Sequence, residues 1–392
     1  MSKIGIVTIA IDNTYNYGNK VQTYALQEFL RQNGDESVAI RYMPAYIKNS
    51  LSKPATMESP LKKVWKQSLA QTVDDALRIV KRRIHADKIR QLTASRIQKF
   101  EIFGTDFVRF SDKLYDENSD LKELDETYDR FITGSDQVWN PYYEGAYPFY
   151  YLQFASKGKR VAYAPSISAA EIPEDQKENI GKWIQSIDAL SVREKDAKML
   201  LQKEFGLEAK LVCDPVFLLN KSDWQKIAVY PQMQKKYFAV YILGKKTAAQ
   251  KRIIRKIERK YKLKAVDLFT ADDAESVFAG PREFLGILEN AEFVLTDSFH
   301  GAAMSVILER PLVTIERKMV HKTTSRIDNL LELTGLCKYS PEDALANLEN
   351  VRQSCRPDKQ KLDIFVADSK EYLQNALKSA QKQENKGGDA GW

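Results

Sequence analysis

The stretch "TDSFHGAAMSVILERP", residues 296–311, carries one of the chain's three histidines, His300, directly before a glycine. The apolar run 292–295 precedes it and "GAAMSVIL" follows, so the pattern predicts a strand handing over to a helix at His300. Free N–H groups at a helix start attract anions, and Gly301 would let a ligand approach the backbone. With Ser298 adding a hydrogen bond, His300 could pass a proton to or from a phosphate-bearing ligand. The competing assignment is a capping or core histidine.

Other short stretches carry compatible chemistry. In "SVREKDA" (191–197), Arg193 ends an apolar run, and a guanidinium there makes a two-pronged clamp for carboxylate or phosphate. Glu194 is a poor ion-pair partner for it, because adjacent residues of a strand face opposite ways. In "FITGSDQVWNP" (131–141), Asp136 follows a strand and a Gly-Ser turn. It could serve as base for a sugar hydroxyl, with Trp139 as a stacking platform, or it could simply form the turn. In "NTYNYGN" (13–19), Asn16, Tyr17 and Asn19 could hydrogen-bond a sugar or cap the next helix. Arg317 ends a strand and Arg326 opens a helix, so both could complete a cationic pocket near His300. No GxGxxG follows a strand and no Walker phosphate loop is present. His85, His300 and His321 lack metal-ligand spacing, so neither metal nor cofactor is expected.

These residues need a scaffold that brings strand ends together. "KIGIVTIA" reads as a central parallel strand, "KVQTYALQEFLRQNG" as an amphipathic helix stopped by Gly34, and "SVAIRYM" as the next strand. That start implies a doubly wound sheet. Strand rhythm resumes at 128 with "YDRFITGSDQVW", "RVAYAPSIS", "DALSVREKDA" and "AKLVCDPVFLL". "YFAVYILG" (237–244) opens a second α/β unit, continued by "AVDLFT", "EFVLTD" and "PLVTIER". At 392 residues the chain exceeds what one core organises, so two domains are expected. The boundaries read as 1–218 for an N-terminal α/β domain with a basic helical insertion at about 60–100, and 219–358 for a C-terminal α/β domain. A helix at 359–383, packing back on the first domain, and a disordered tail at 384–392 complete the chain.

Composition narrows the function classes. Apolar residues make up 43% and charged residues 29%, an ordinary globular balance. The net charge of +7 suits an anionic ligand or surface. No Cys/His finger or aromatic RNA-binding motif occurs, so nucleic acid is not an expected partner. Cys213, Cys337 and Cys355 form no CxxC pair, which argues against a disulfide framework and for a reducing compartment. The first apolar run, broken by Gly5 and Thr8, reads as a buried strand rather than a signal peptide. No apolar stretch approaches the ~18 residues of a membrane span. The expected location is cytoplasmic, extending to the inner face of the cytoplasmic membrane.

In their order, "TYNYGNKVQTYALQ", "FITGSDQVWNP", "AYAPSIS", "LSVREKDA", "CDPVFLL" and "TDSFHGAAMSVIL" resemble the polysaccharide pyruvyl transferase family over roughly residues 4–335. The resemblance implies two Rossmann-like domains facing a cleft, the GT-B-like architecture of sugar transferases. It also implies transfer of the enolpyruvyl group of phosphoenolpyruvate onto sugar hydroxyls, giving a cyclic pyruvate ketal on a bacterial surface polysaccharide. Phosphoenolpyruvate would be a co-substrate, and the acceptor a glycan, lipid-linked in one form, with galactose and N-acetylmannosamine as candidate sugars. The N-terminal domain would then take the acceptor and the C-terminal domain the donor. Arg193 matches the family's donor-binding arginine and His300 its histidine before a small residue. Many members carry arginine two residues before that histidine, where Ser298 stands here; Arg317 or Arg326 would restore the charge. Two other readings compete: a nucleotide-sugar-dependent glycosyltransferase of the same architecture, and a non-catalytic glycan-binding relative.

Between residues 60 and 100 the only acidic residues are Asp74, Asp75 and Asp87, against many basic ones that include "KRR" at 81–83. This is either a solvated basic face or a surface for an anionic membrane. The membrane reading, to which Trp65 adds, predicts co-sedimentation with anionic vesicles that falls as salt rises, because screening shortens to ~8 Å at physiological ionic strength. Equal binding to neutral vesicles would remove the electrostatic argument.

Overall fold

Ile4, Ile6 and Val7 are fully buried in β1 (Lys3–Val7), as a parallel strand with helices on both faces requires. The computed structural model describes residues 1–9, 16–44, 86–142, 147–269, 279–316, 325–346 and 356–387. β1 pairs in parallel with β2 (Glu36–Tyr42) and β4 (Arg130–Thr133). Outside them lie β3 (Phe110–Tyr115) and β5 (Arg160–Ala162), giving the order β3-β2-β1-β4-β5. A short pair, β6 (Ser191–Val192) and β7 (Lys210–Leu211), continues beyond β5 through a bridge between Val161 and Ala189.

The second domain repeats the plan. β8 (Tyr237–Tyr241), β9 (Lys264–Asp267), β10 (Val294–Thr296), β11 (Leu312–Ile315) and β12 (Lys338–Tyr339) form a parallel sheet in the order β12-β11-β10-β8-β9. The architecture is therefore α/β with two Rossmann-like domains, as the sequence led us to expect. The winding direction reverses between β1 and β4 in one sheet and between β8 and β10 in the other. Ligands of open parallel sheets bind beyond the strand ends at such reversals. Ser135 and Asp136 follow β4, and Ser298 and His300 follow β10, so the two reversals present the candidate residues.

Tyr17 fastens the domains to each other. It begins the helix Tyr17–Gln32 of the first domain, yet its ring stacks on Phe284 of the second at 4.4 Å and 10°. It also meets Tyr241 edge-on at 5.6 Å, and its hydroxyl donates to the Ala279 carbonyl at 2.7 Å. The Arg96 guanidinium covers the same ring at 5.1 Å, and Lys99 pairs with Glu283 at 2.9 Å. Both come from the helix Ala86–Phe107, which also buries Phe100 and Phe103. The rest of the basic insertion, from about residue 60 to 85, lies outside the described residues.

The C-terminal helix, Gln360–Gly387, returns to the first domain. There Cys213 N–H donates to Ser369 Oγ at 3.0 Å, and Gln374 Nε2 to Asn33 Oδ1 at 2.7 Å. The helix runs through Gly387, into the stretch read as a disordered tail; residues 388–392 lie outside the described residues. Two other expectations change. "CDPVFLL" is no strand: Asp214 caps a 3-10 turn, Pro215–Leu218, through Val216 N–H, and Pro215 cannot join a ladder. Edge strands β3 and β12, unread in the sequence, are present. Among the described residues, no helix is long and apolar enough to cross a membrane.

Replacing Tyr17 tests this junction. Tyr17→Ala should cost about 3–5 kcal/mol, the usual loss for a large buried aromatic. Tyr17→Phe should cost about 1–3 kcal/mol, because it leaves the buried Ala279 carbonyl unpaired. Chemical denaturation measures both, and near-neutral values would mean that the domains are held elsewhere.

Candidate functional site

Arg193 leaves the end of β6 and is only 3% exposed. Its Nη1 donates to Ser135 Oγ at 3.0 Å and, in a very short contact, to the Asp214 carboxylate. The guanidinium lies over the Phe299 ring at 5.3 Å, so the second domain forms one wall of its surroundings. Nε and Nη2 are buried with no hydrogen-bond partner. The Glu194 carboxylate is 4.0 Å from Nε, because its other oxygen is committed elsewhere. That oxygen accepts from Ser166 Oγ at 2.9 Å, Ile167 N–H at 2.9 Å and Ser168 N–H at 3.1 Å, pinning the loop after β5.

Asp214 is 1% exposed and central to the cluster. Oδ1 accepts from Val216 N–H at 3.1 Å, while Oδ2 accepts from Ser135 Oγ at 3.1 Å and from Arg193. Burial by itself would push this carboxyl up. The Arg193 guanidinium, with His300 and Val216 N–H adding to it, reverses that and holds it well below the usual carboxylate range. Burial likewise opposes the Arg193 charge, yet Asp214, then Glu194 and Asp136, raise its pKa above the ordinary value.

His300 comes from the second domain and is 8% exposed. It is the second residue of the helix Phe299–Ile307, not its cap; the cap is Ser298, whose N–H donates to Thr296 Oγ1 at 3.0 Å. His300 Nε2 lies 3.7 Å from Asp214 Oδ2, beyond hydrogen-bond length but within electrostatic reach. The opposite edge of the ring abuts Gly18: a Cβ there would stand 2.0 Å from Nδ1. Glycine at 18 is thus a steric requirement of the imidazole. Gly301 has a different reason from the one expected. A Cβ there would stand 2.5 Å from Thr296 Oγ1 and 2.8 Å from the Tyr241 ring, so this glycine lets the helix pack on its strands rather than admitting a ligand.

Non-glycine residues with left-handed backbone surround the cluster: Asp136 (φ 64°), Ala164 (φ 56°) and Ser168 (φ 49°). Each costs of order 1–3 kcal/mol and persists only where the surroundings over-determine it. The Asp136 side chain is half-buried, and its Oδ1 accepts from Gln137 N–H at 2.9 Å.

The structure therefore gathers Arg193, Asp136 and His300, together with Ser135 and Asp214, which the sequence reading missed. The signals for those two were the Asp-Pro pair after β7 and the serine beside Gly134. Other expected site residues lie elsewhere. Trp139 is 1% exposed, stacked on Tyr151 at 5.3 Å, and its indole N–H donates to the Tyr150 carbonyl, so it is core rather than a platform. Tyr17 fills the domain junction. The exposed Asn16 caps its helix by accepting from Asn19 N–H at 3.4 Å, and the Asn19 amide donates to the Ile9 carbonyl. Arg326 is half-buried in the helix Ser325–Thr334, and Arg317 lies outside the described residues. Burial pushes the nearby Cys213 thiol up to about 11, consistent with an inert core cysteine. Among the described residues, no cluster of His, Cys, Asp and Glu could hold a metal ion.

A sequence model of the polysaccharide pyruvyl transferase family matches residues 16–318. No curated protein matches the chain. Among solved structures, a putative UDP-N-acetylglucosamine 2-epimerase from Listeria monocytogenes aligns with a TM-score of 0.53 at 13% identity, covering 97% of each chain. The UDP-GlcNAc 2-epimerase of Methanocaldococcus jannaschii aligns at 0.49 and 13%, covering 96% of this chain and 99% of that one. The glycosyltransferase SnogD from Streptomyces nogalater aligns at 0.40 and 11%, covering 99% of each. The Listeria likeness supports the two-domain fold and nothing finer.

Asp214 makes a pH prediction. Its carboxyl titrates lower in the folded chain than the unfolded value of about 3.9. Its stabilising contribution is therefore complete above that value and lost as pH falls towards the folded one. Denaturation midpoints should fall more steeply below about pH 4 for the native chain than for Asp214→Asn. The variant should also start lower by about 3–5 kcal/mol, having left a buried guanidinium unpaired. Parallel acid limbs would mean the ion pair contributes nothing to folding.

Proposed function

Because the chain belongs to the polysaccharide pyruvyl transferase family, we propose that it transfers the enolpyruvyl group of phosphoenolpyruvate to a sugar. The product is a cyclic pyruvate ketal on a bacterial surface-polysaccharide precursor, lipid-linked and met at the inner face of the membrane. The observation that carries this reading is the buried Arg193 guanidinium, with Nε and Nη2 lacking partners, beside an imidazole from the opposite domain. Buried donors without partners are costly, and an anionic ligand would satisfy them.

In this reading Arg193 grips the carboxylate or phosphate of the donor, with Ser298 at the helix start beside His300 adding a hydrogen bond. His300 gives a proton to the methylene carbon, which leaves an oxocarbenium-like centre at the adjacent carbon. A sugar hydroxyl attacks that centre, and Asp136 takes its proton. The bond to phosphate then breaks, and a second hydroxyl closes the ketal, giving its proton to the departing inorganic phosphate. The scheme uses no metal and no nucleotide.

Incubation with phosphoenolpyruvate and a panel of galactosides and N-acetylmannosaminides should release phosphate, add the pyruvyl mass to one sugar and give a ketal methyl signal by NMR. Arg193→Ala should weaken donor binding by about 2 kcal/mol or more. His300→Gln, which keeps a hydrogen-bond donor but not the titratable ring, should lower turnover ~10²–10⁴-fold with the fold intact. Thermal stabilisation by nucleotide sugars but not by phosphoenolpyruvate would instead favour a glycosyltransferase. Glycan binding without phosphate release would favour a non-catalytic relative.

A further inference from the structure

One residue touches both halves of the site and has no step of its own in the proposed transfer. Asp214 belongs to the first domain, and its side chain is fully buried. Its Oδ1 is committed to Val216 N–H, and its Oδ2 faces Arg193, Ser135 and, at 3.7 Å, Nε2 of His300 from the second domain. Nε2 is buried and has no partner within hydrogen-bond distance, so the Asp214 carboxylate acts on it electrostatically. The 10% of the His300 side chain that remains exposed therefore lies on its other atoms. Nδ1 abuts backbone at Gly18, where no side chain fits. An ionised carboxylate is an acceptor only, so a nitrogen facing it is stabilised when it bears the hydrogen.

We infer that Asp214 is a positioning residue that holds His300 as the Nε2–H tautomer, leaving Nδ1 as the nitrogen that exchanges a proton with the substrate. Which proton that is rests on the proposed pyruvyl transfer; the tautomer does not. In the transfer, the doubly protonated ring releases the Nδ1 proton to the methylene carbon and becomes the neutral Nε2–H form that Asp214 favours. The same carboxylate engages Nη1 of Arg193, which leaves Nε and Nη2 without a hydrogen bond, Nε with the Glu194 carboxylate 4.0 Å away. One buried group therefore orients both the anion clamp and the proton carrier, and does so across the domain boundary. Control of imidazole tautomer by a neighbouring carboxylate is a general way to fix which nitrogen does chemistry.

The test is a long-range proton–nitrogen correlation spectrum of the ligand-free protein labelled with nitrogen-15 histidine. Only three histidines contribute, and the His300 signals are those missing from His300→Gln. The neutral ring should show a protonated Nε2 and a bare Nδ1. In Asp214→Asn the tautomer populations should shift towards Nδ1–H, and turnover should fall about 10²-fold or more. A native His300 that is predominantly Nδ1–H overturns the inference, and so does an Asp214→Asn protein with native tautomer and turnover. If that variant fails to fold, the native spectrum alone decides. If the native protein releases no phosphate from phosphoenolpyruvate, the proposed transfer fails while the spectrum still judges Asp214.

Discussion

The ion pair between Arg193 and Asp214 is the constraint around which the site is built. Both side chains are essentially out of solvent, so each would be expensive to bury alone. Paired, they stay charged in a place where water cannot screen them. The Ser135 hydroxyl and Val216 N–H satisfy the carboxylate, and the loop after β5 is pinned separately by Glu194. The imbalance left over is specific: two guanidinium nitrogens without a hydrogen bond, Nε with the Glu194 carboxylate 4.0 Å away. The Asp214 carboxylate is satisfied, whereas Nε and Nη2 of Arg193 and the Glu194 oxygen facing Nε carry no hydrogen bond.

The second constraint is how the other domain reaches this pair. His300 and Phe299 arrive at the start of one helix, while Gly18 and Tyr17 open another. Tyr17 inserts into the second domain and Gly18 clears the space for the imidazole, so one dipeptide both joins the domains and sets the ring's position. The C-terminal helix adds a second tie by crossing back to the strands beside Asp214. With the domains tied at two places, the histidine and the arginine keep a fixed relation. Preorganisation of that kind matters most where charge must be stabilised without rearranging solvent.

Much of this was legible in the sequence, and what escaped did so for identifiable reasons. β1, β4, β8 and β10 are buried on both faces and read as apolar runs. β3 holds an Asp-Lys pair at its centre that breaks the apolar run, and β12 has two residues, so neither rises above its surroundings. Arg193 and His300 stood out because they follow apolar runs. Asp214 did not, because nothing local tells a turn-capping aspartate from one that also meets an arginine and a distant histidine. Trp139 misled in the opposite sense: an aromatic after a polar turn suits a platform or a core equally, and only packing distinguishes them. The reason for glycine at 18 is another residue's ring nearly three hundred positions away, which no spacing rule exposes.

The central claim is that the unpaired guanidinium edge receives the donor's anionic group. Arg193→Lys separates charge from geometry, since an ammonium keeps the positive charge but loses the planar fork. Isothermal titration of this variant with phosphoenolpyruvate is the most direct measurement. The account predicts saturable binding to the native protein, weakened by about 10-fold or more in the lysine variant, the scale of one lost charge-assisted hydrogen bond. Equal affinity of the two proteins would contradict it, because the donor would then not be held by the fork that the ion pair orients.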